Sequence, residues 1–125
     1  MNGELQIEIE MKAAFAAFLA NGFTYRYFYE KGGDSSCVYI YRFQKGKDFF
    51  DLREVSGGNE LNFVVYSRGG YQFPLLNRLY PKDFSLFRRK HFFRKANKQE
   101  KRAFFAELLN KRLREGGDFF GIPIG

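Results

Sequence analysis

The chain has almost no cysteine or histidine. It contains one cysteine, Cys37, one histidine, His91, and no tryptophan among its 125 residues. A single cysteine cannot form a disulfide within the chain and is typical of a reducing compartment. Zinc sites need pairs of cysteine and histidine ligands, which are missing here. We therefore expect no metal, no cofactor and a cytoplasmic localisation.

The sequence also lacks a segment that would carry it into or across a membrane. The apolar residues 13–20 are too few to span a bilayer. The N-terminus is acidic, through Glu4, Glu8 and Glu10, where a secretory leader would be basic. We therefore expect no integral membrane association.

Motifs for catalysis are scarce as well. The glycine pairs at 57–58 and 69–70 are not followed by Gly-Lys-Ser/Thr and form no GxGxxG pattern, so no mononucleotide loop is predicted. His91 lies among arginines and lysines, which disfavour its protonated form. We interpret it as a packing or phosphate-contact residue. We expect no enzymatic activity and no catalytic residue.

One catalytic alternative, a degenerate metal-dependent nuclease, depends on a set of carboxylates. The set consists of Asp48, Asp51, Glu54 and Glu60. An aspartate on one strand and Glu-x-Lys on the next would resemble the restriction-endonuclease-like fold, in which acidic residues hold Mg²⁺. In this chain Asn62 follows Glu60 where that pattern has lysine. The acids also alternate with apolar residues, so they cannot all face one site.

The residues that are abundant describe a globular domain with a core built from phenylalanine. Apolar residues make up 45% of the chain, which argues against disorder, and 17 residues are phenylalanine. The length is that of one domain, and we expect residues 1–125 to form it.

Periodicity predicts a helix, a sheet and two further helices. Apolar residues recur at three- and four-residue steps over 4–20, and Asn21-Gly22 is a helix stop. Turn residues separate four β-rich runs and predict strands over 24–31, 36–44, 48–55 and 60–68. Residues 71–76 could add a fifth strand, which Pro74 would confine to an edge.

Helical periodicity returns after Pro81. We predict a helix over 83–94 and a second that begins at Asn97 with a capping box completed by Glu100. Gly116-Gly117 ends that helix, and the tail over 118–125 is predicted to pack back on the body. The expected fold class is α+β, with an N-terminal helix, a four- to five-stranded antiparallel meander sheet and two C-terminal helices on one sheet face.

Alternating tyrosines along the first two strands suggest an aromatic sheet face. If Val38 and Ile40 face the helices, the tyrosines face outward; they are Tyr25, Tyr27, Tyr29, Tyr39 and Tyr41. Such a face could stack bases or form a protein interface. Ordinary cross-strand aromatic pairing is the favoured interpretation.

Positive charge is concentrated in the last third of the chain. Residues 78–125 carry 13 Lys/Arg and 5 Asp/Glu, whereas residues 1–77 carry 8 and 9, for a net charge of +7. Basic and aromatic residues alternate most densely near position 90, which predicts a phosphate-binding surface with little sequence readout. The predicted nucleic-acid-binding residues are Arg88, Arg89, Lys90, Phe92, Phe93, Arg94, Lys95 and Lys98.

Other interpretations of this charge remain open. The segment could be a core helix with a solvated basic rim, in which lysine and arginine extend over phenylalanine. The main functional alternative is a protein-interaction module, of the adaptor or immunity type, that binds an acidic partner or self-associates as a homodimer through an aromatic surface. Basic residues next to phenylalanine also suit a helix at a membrane surface.

Overall fold

A computed structural model of the protein describes residues 2–31, 37–56 and 60–124, with side chains from Leu5 onward. The N-terminal helices are α1 (Asn2–Ala14) and α2 (Ala16–Ala20). The strands are β1 (Thr24–Lys31), β2 (Cys37–Lys45), β3 (Asp48–Val55), β4 (Leu61–Ser67) and β5 (Gly70–Gln72). The C-terminal helices are α3 (Leu76–Leu79), α4 (Pro81–Lys90) and α5 (Lys98–Arg114). The predicted α+β class is confirmed. The turn predicted at 32–35 lies outside the described residues, as do residues 57–59 of the turn predicted at 56–59.

The five strands form one antiparallel sheet in the order β1-β2-β3-β4-β5. Two-residue turns join β2 to β3 and β4 to β5. Gly46 lies in the first with φ of 63°, and Arg68 and Gly69 form the second with φ of 54° and 78°. Positive φ at such positions matches the twist of the strands. β5 is a three-residue edge strand that ends before Pro74.

The tyrosines of β1 and β2 lie on the helix-covered face of the sheet, so the expectation that they face outward is wrong. Tyr41 is fully buried, and Tyr25, Tyr27 and Tyr39 pack against the core. They share this face with Phe43, which pairs with Phe50 of β3 in register. These four tyrosine rings therefore fill the space beneath the helices, whereas Tyr29 near the end of β1 is 52% exposed.

The opposite face of the sheet carries no described helix, and its arginines cover its apolar residues. Asp51 is fully buried there because Arg42 and Arg53 donate to its carboxylate over 2.8 and 2.9 Å. The Arg42 guanidinium lies 3.7 Å from the ring centroid of Phe49 and 4.9 Å from that of Phe28. Cation–π contact and ion pairing therefore take the place of a second helical layer.

The core lies between the sheet and helices from both ends of the chain. Met11, Phe15 and Phe18 enter it from the N-terminal helices, and Leu108 and Leu109 enter it from α5. Ring centroids of neighbouring phenylalanines are 4.2–6.3 Å apart, as in Phe15 and Phe43 at 4.5 Å. The expected phenylalanine core is confirmed.

The end of α2 and the C-terminal tail follow local sequence signals. Gly22 has φ of 98°, as the predicted stop after Asn21 requires. The tail packs back as expected, with Phe119 and Ile122 buried. Ser67 donates to the Phe120 carbonyl over 2.9 Å and fixes the tail to β4.

The helix predicted over 83–94 is shorter and begins earlier than expected. Pro81 occupies the first turn of α4, where its missing N–H costs nothing, and the helix ends at Lys90. Its rings pack on α5: Phe87 stacks on Phe104 with centroids 4.2 Å apart. The residues expected to form the last turn, through Arg94, belong instead to the connection between α4 and α5.

Candidate functional site

The end of α4 concentrates positive charge for a local physical reason. Arg88, Arg89 and Lys90 form its last turn, where cations complement the negative end of the helix dipole. All three side chains are exposed. Successive helical residues point about 100° apart, so these three cations spread around the helix end rather than along one side.

Two phenylalanines project from the connection that follows. Phe92 is 76% exposed and Phe93 is 97% exposed. Their ring centroids are 4.9 Å apart in an edge-to-face arrangement. Neither ring has another ring contact among the described residues. Exposed apolar side chains that pack on nothing else in the fold are typical of an interaction site.

The connection itself is held by Glu100, the third residue of α5. Glu100 accepts hydrogen bonds from both terminal nitrogens of Arg94, over 3.2 and 3.0 Å, and from the Asn97 backbone N–H over 2.9 Å. The Asn97 side chain accepts in return from the Glu100 N–H, so the predicted capping box is confirmed. These partners, the Arg94 guanidinium first, lower the pKa of Glu100 to about 2.

His91 is a packing residue in this structure. Its side chain is 8% exposed, its ring centroid lies 4.5 Å from that of Phe87, and its Nδ1 is 4.0 Å from Glu100 Oε2. It therefore anchors the connection between α4 and α5 and is turned away from solvent. Its neighbours Phe92 and Phe93 remain outside as a consequence.

The eight predicted binding residues lie at this end of the molecule, but they do not form one flat patch. Arg94 is engaged in the ion pair with Glu100. The other five cations form no ion pair with a described residue; they are Arg88, Arg89, Lys90, Lys95 and Lys98. Arg88 and Lys90 line different grooves, on the β4 side and the α5 side of α4 respectively. We call the eight residues the basic–aromatic end.

The carboxylates considered for a nuclease lie on opposite faces of the sheet. Asp51 is on the open face with Arg42 and Arg53, whereas Glu54 is on the helix-covered face with Tyr41 and Arg102. Among the described residues, no three side chains of the His, Cys, Asp and Glu types are grouped so that they could hold a metal ion. Each buried carboxylate has a structural partner.

The single cysteine, Cys37, begins β2. It is partly exposed, and its Sγ lies 2.7 Å from the Tyr29 hydroxyl, with either atom able to donate. The hydrogen bond raises the pKa of Tyr29 above its usual value. The thiol is thus a packing partner of an aromatic residue at the end of β1.

Sequence reasoning missed a second surface, along the edge of β4. Leu61 and Phe63 lie beside a groove that Phe73, Leu75 and Arg88 also line. The signal was present in the sequence, because Pro74 limits the fifth strand to a few residues and leaves the rest of β4 without a neighbour.

None of the helices formed by the described residues is long and apolar enough to cross a membrane. Comparison of the chain with protein-family models, with curated proteins and with solved structures found no match. Function is therefore inferred from the residues of the site alone.

Proposed function

We propose that the protein is a small basic binding module that binds nucleic acid through the basic–aromatic end, mainly at phosphates and with little readout of base sequence. The observation that carries this proposal is the exposed pair Phe92 and Phe93, placed among five cations that have no carboxylate partner within the described part of the chain. Lysine and arginine bind phosphates and release counterions, and exposed rings stack on unpaired bases without regard to sequence.

The arrangement of the cations fits a backbone-binding mode. Because Arg88, Arg89 and Lys90 radiate around a helix end, they can reach several phosphates of one strand that passes over it. A strand wrapped in this way would bring its bases to the phenylalanine pair. The chain's net charge of +7 adds long-range attraction for any polyanion.

The direct test measures binding of one fluorescent 20-nucleotide strand and of the corresponding duplex, over a range of salt concentrations. We expect log affinity to fall linearly with log salt, and we expect the single strand to bind more tightly than the duplex because only it offers unpaired bases. Absence of binding to both probes at about 50 mM salt, where counterion release is most favourable, overturns the proposal.

Two variants assign the binding to the site. Phe93→Ala should weaken single-strand binding by about 1–3 kcal/mol and leave folding unchanged, because its ring is almost fully exposed. The double variant Arg89→Glu/Lys95→Glu should make the salt dependence shallower by about one to two units of slope.

Matched controls come from other parts of the surface. Phe73→Ala removes an exposed ring from the segment after β5, and Arg78→Glu reverses an exposed charge on α3. Neither should change nucleic-acid binding by more than about twofold. If Phe93→Ala instead abolishes binding to anionic phosphatidylserine vesicles while nucleic acid does not bind, the surface is a membrane interface and the proposal is wrong.

A further inference from the structure

β4 has an edge that the sheet leaves unpaired over half of its length. β5 pairs only with the last three residues of β4, from Val65 to Ser67. Leu61–Ser67 is the full strand, so within the described part of the chain no strand neighbours Leu61, Asn62, Phe63 and Val64 on that side.

The register fixes which backbone groups point outward from this edge. The Val55 N–H donates to the Glu60 carbonyl, which makes these residues a hydrogen-bonded pair of the β3–β4 ladder. Hydrogen-bonded and non-hydrogen-bonded pairs alternate along antiparallel strands. Leu61 and Phe63 therefore direct their N–H and C=O groups away from β3. No described residue donates to or accepts from them on that side.

A groove of about 570 Å³ runs along the same edge. Leu61 and Phe63 form one side of it, and the segment after β5 forms the other. Phe73 and Leu75 on that segment are 66% and 52% exposed, so the groove has an apolar wall that is largely open to solvent. A free strand edge beside apolar side chains is the arrangement that accepts an added strand.

The positive charge of the groove favours an acidic segment as the added strand. Two guanidinium groups line the groove, those of Arg53 and Arg88. Arg53 is already paired with Asp51, whereas Arg88 has no carboxylate partner among the described residues. An unpaired arginine at the rim of an apolar groove favours a carboxylate from the occupant, with two parallel N–H donors available to bind it.

We propose that this groove binds an extended peptide segment of a partner protein, which adds a strand beside β4 and places an acidic side chain at Arg88. The backbone groups of Leu61 and Phe63 supply the strand pairing, and Phe73 and Leu75 supply an apolar pocket for alternate side chains. This surface is distinct from the phenylalanine pair of the basic–aromatic end and shares only Arg88 with it.

The test starts from a phage library of random peptides of about eight residues, a length that exceeds the open stretch of β4, selected on the full-length protein. We expect enriched peptides that carry an aspartate or glutamate among β-forming residues. On binding a synthetic copy, the amides of Leu61 and Phe63 should become protected from hydrogen exchange. Backbone N–H groups of an added strand point alternately towards β4 and towards solvent. Methylation of the peptide nitrogens that point towards β4 should weaken binding about tenfold, whereas methylation of the alternate set should change it little.

Variants locate the binding. Arg88→Glu and Phe73→Ala change exposed side chains and should each weaken peptide binding at least tenfold, whereas Arg89→Glu, the adjacent residue of the same helix, should not. Leu61→Pro should abolish binding by removing an outward N–H, and circular dichroism checks its folding. Phe93→Ala should leave peptide binding intact, which separates this site from nucleic-acid binding.

Three results overturn the proposal. The first is a selection that enriches no peptide over a parallel selection on the Arg88→Glu protein. The second is a set of enriched peptides that bind Arg88→Glu and Phe73→Ala as tightly as they bind the wild type. Peptides that protect amides other than those of Leu61 and Phe63 count as the same result. The third is a dimer in sedimentation whose Leu61 and Phe63 amides are already protected, because the occupant of the edge is then a second copy of this chain.

Discussion

At the scale of single residues, Arg102 is the side chain that joins the two layers of the fold. It is 7% exposed and donates to Glu10 of α1 over 2.7 and 2.9 Å and to Glu54 of β3 over 2.8 Å. Glu54 is 5% exposed and also accepts from the Tyr41 hydroxyl over 2.9 Å. Each buried carboxylate thus has a charge-assisted partner, as burial of ionised groups requires.

We expect Arg102→Met to lower the free energy of unfolding by about 3–5 kcal/mol. Methionine keeps much of the side-chain volume of arginine. The loss of unfolding free energy therefore comes mainly from the two carboxylates that are left without a cation. Urea unfolding measures it. Arg114→Met on the exposed surface of the same helix is the control and should stay within about 0.5 kcal/mol. A loss below about 1 kcal/mol for Arg102→Met would show that the network contributes little.

The burial of Arg102 was not predictable from the sequence. On the helix α5, Arg102 lies at the border of the apolar arc, a position that periodicity alone assigns neither to the core nor to solvent. Its two partners lie 92 and 48 residues away in the chain, so their convergence depends on how α1 and β3 pack against α5. A side chain at such a border is drawn inward or left in solvent according to the charges that tertiary packing brings to it.

At the scale of secondary-structure elements, local sequence signals predict most of the boundaries of strands and helices. The strands predicted over 24–31 and 48–55 are confirmed residue for residue, because glycine residues flank both runs closely in the sequence. The end of α4 was wrong because no glycine or proline follows it. After Lys90, His91 packs back on Phe87 four residues earlier and Arg94 pairs with Glu100 of α5, so the connection is held by contacts that helical periodicity does not show.

The orientation of the sheet was wrong although the sequence contained a usable signal. Alternation predicts which residues share a face, but not which face the helices cover. Both faces of β2 carry apolar residues. The charged residues help to resolve the choice, because Arg26, Arg42, Asp51 and Arg53 share one face across three strands. On the tyrosine face, Glu54 is joined only by charged residues at the ends of strands, which are Lys31, Lys45 and Asp48. The charged face is the one that solvent reaches.

The connection between α4 and α5 should be sensitive to acid through Glu100. The Arg94 guanidinium and the Asn97 N–H hold the pKa of Glu100 at about 2, below its usual 4.5. The folded state therefore favours the carboxylate. This stabilisation is fully present above pH 4.5 and is lost as the pH falls from 4.5 towards 2. We expect the wild type to be more stable than Glu100→Gln at neutral pH and the two to converge near pH 2.

Guanidinium unfolding of both proteins at a series of pH values measures this difference. Glu107→Gln, on an exposed carboxylate of the same helix, is the control for the loss of one charge. A gap between wild type and Glu100→Gln that stays constant down to pH 2 would contradict the assignment, because the gap would then come from packing.

At the scale of the whole molecule, the two proposed binding surfaces meet at α4. The basic–aromatic end lies beyond its C-terminus, and the β4 edge groove lies along one side of it. Arg88 belongs to both, so its substitution should impair both kinds of binding. Phe93 and Phe73 each belong to one, and their alanine variants should separate the two functions. α4 packs on α5 through its rings, which leaves other sides of the helix exposed for the two proposed ligands.

The tyrosine-rich core makes the whole fold sensitive to alkali. Burial, together with the nearby Glu54 carboxylate, raises the pKa of Tyr41 well above its usual 10, and burial with Glu8 does the same for Tyr25. Above pH 10 the unfolded chain releases protons that the folded protein keeps, so stability is fully present below pH 10 and falls as the pH rises further.

We expect the free energy of unfolding to drop above pH 10 by up to about 1.4 kcal/mol per pH unit for each of these two tyrosines. Denaturant unfolding between pH 8 and 11.5 measures the slope. Tyr41→Phe should be less stable at pH 8, because it loses the hydrogen bond to Glu54, yet should lose stability less steeply above pH 10. Tyr71→Phe, whose ring is exposed at the sheet edge, should keep the wild-type slope. Equal slopes for wild type and Tyr41→Phe would mean that Tyr41 ionises without unfolding, which its complete burial beneath the helices argues against.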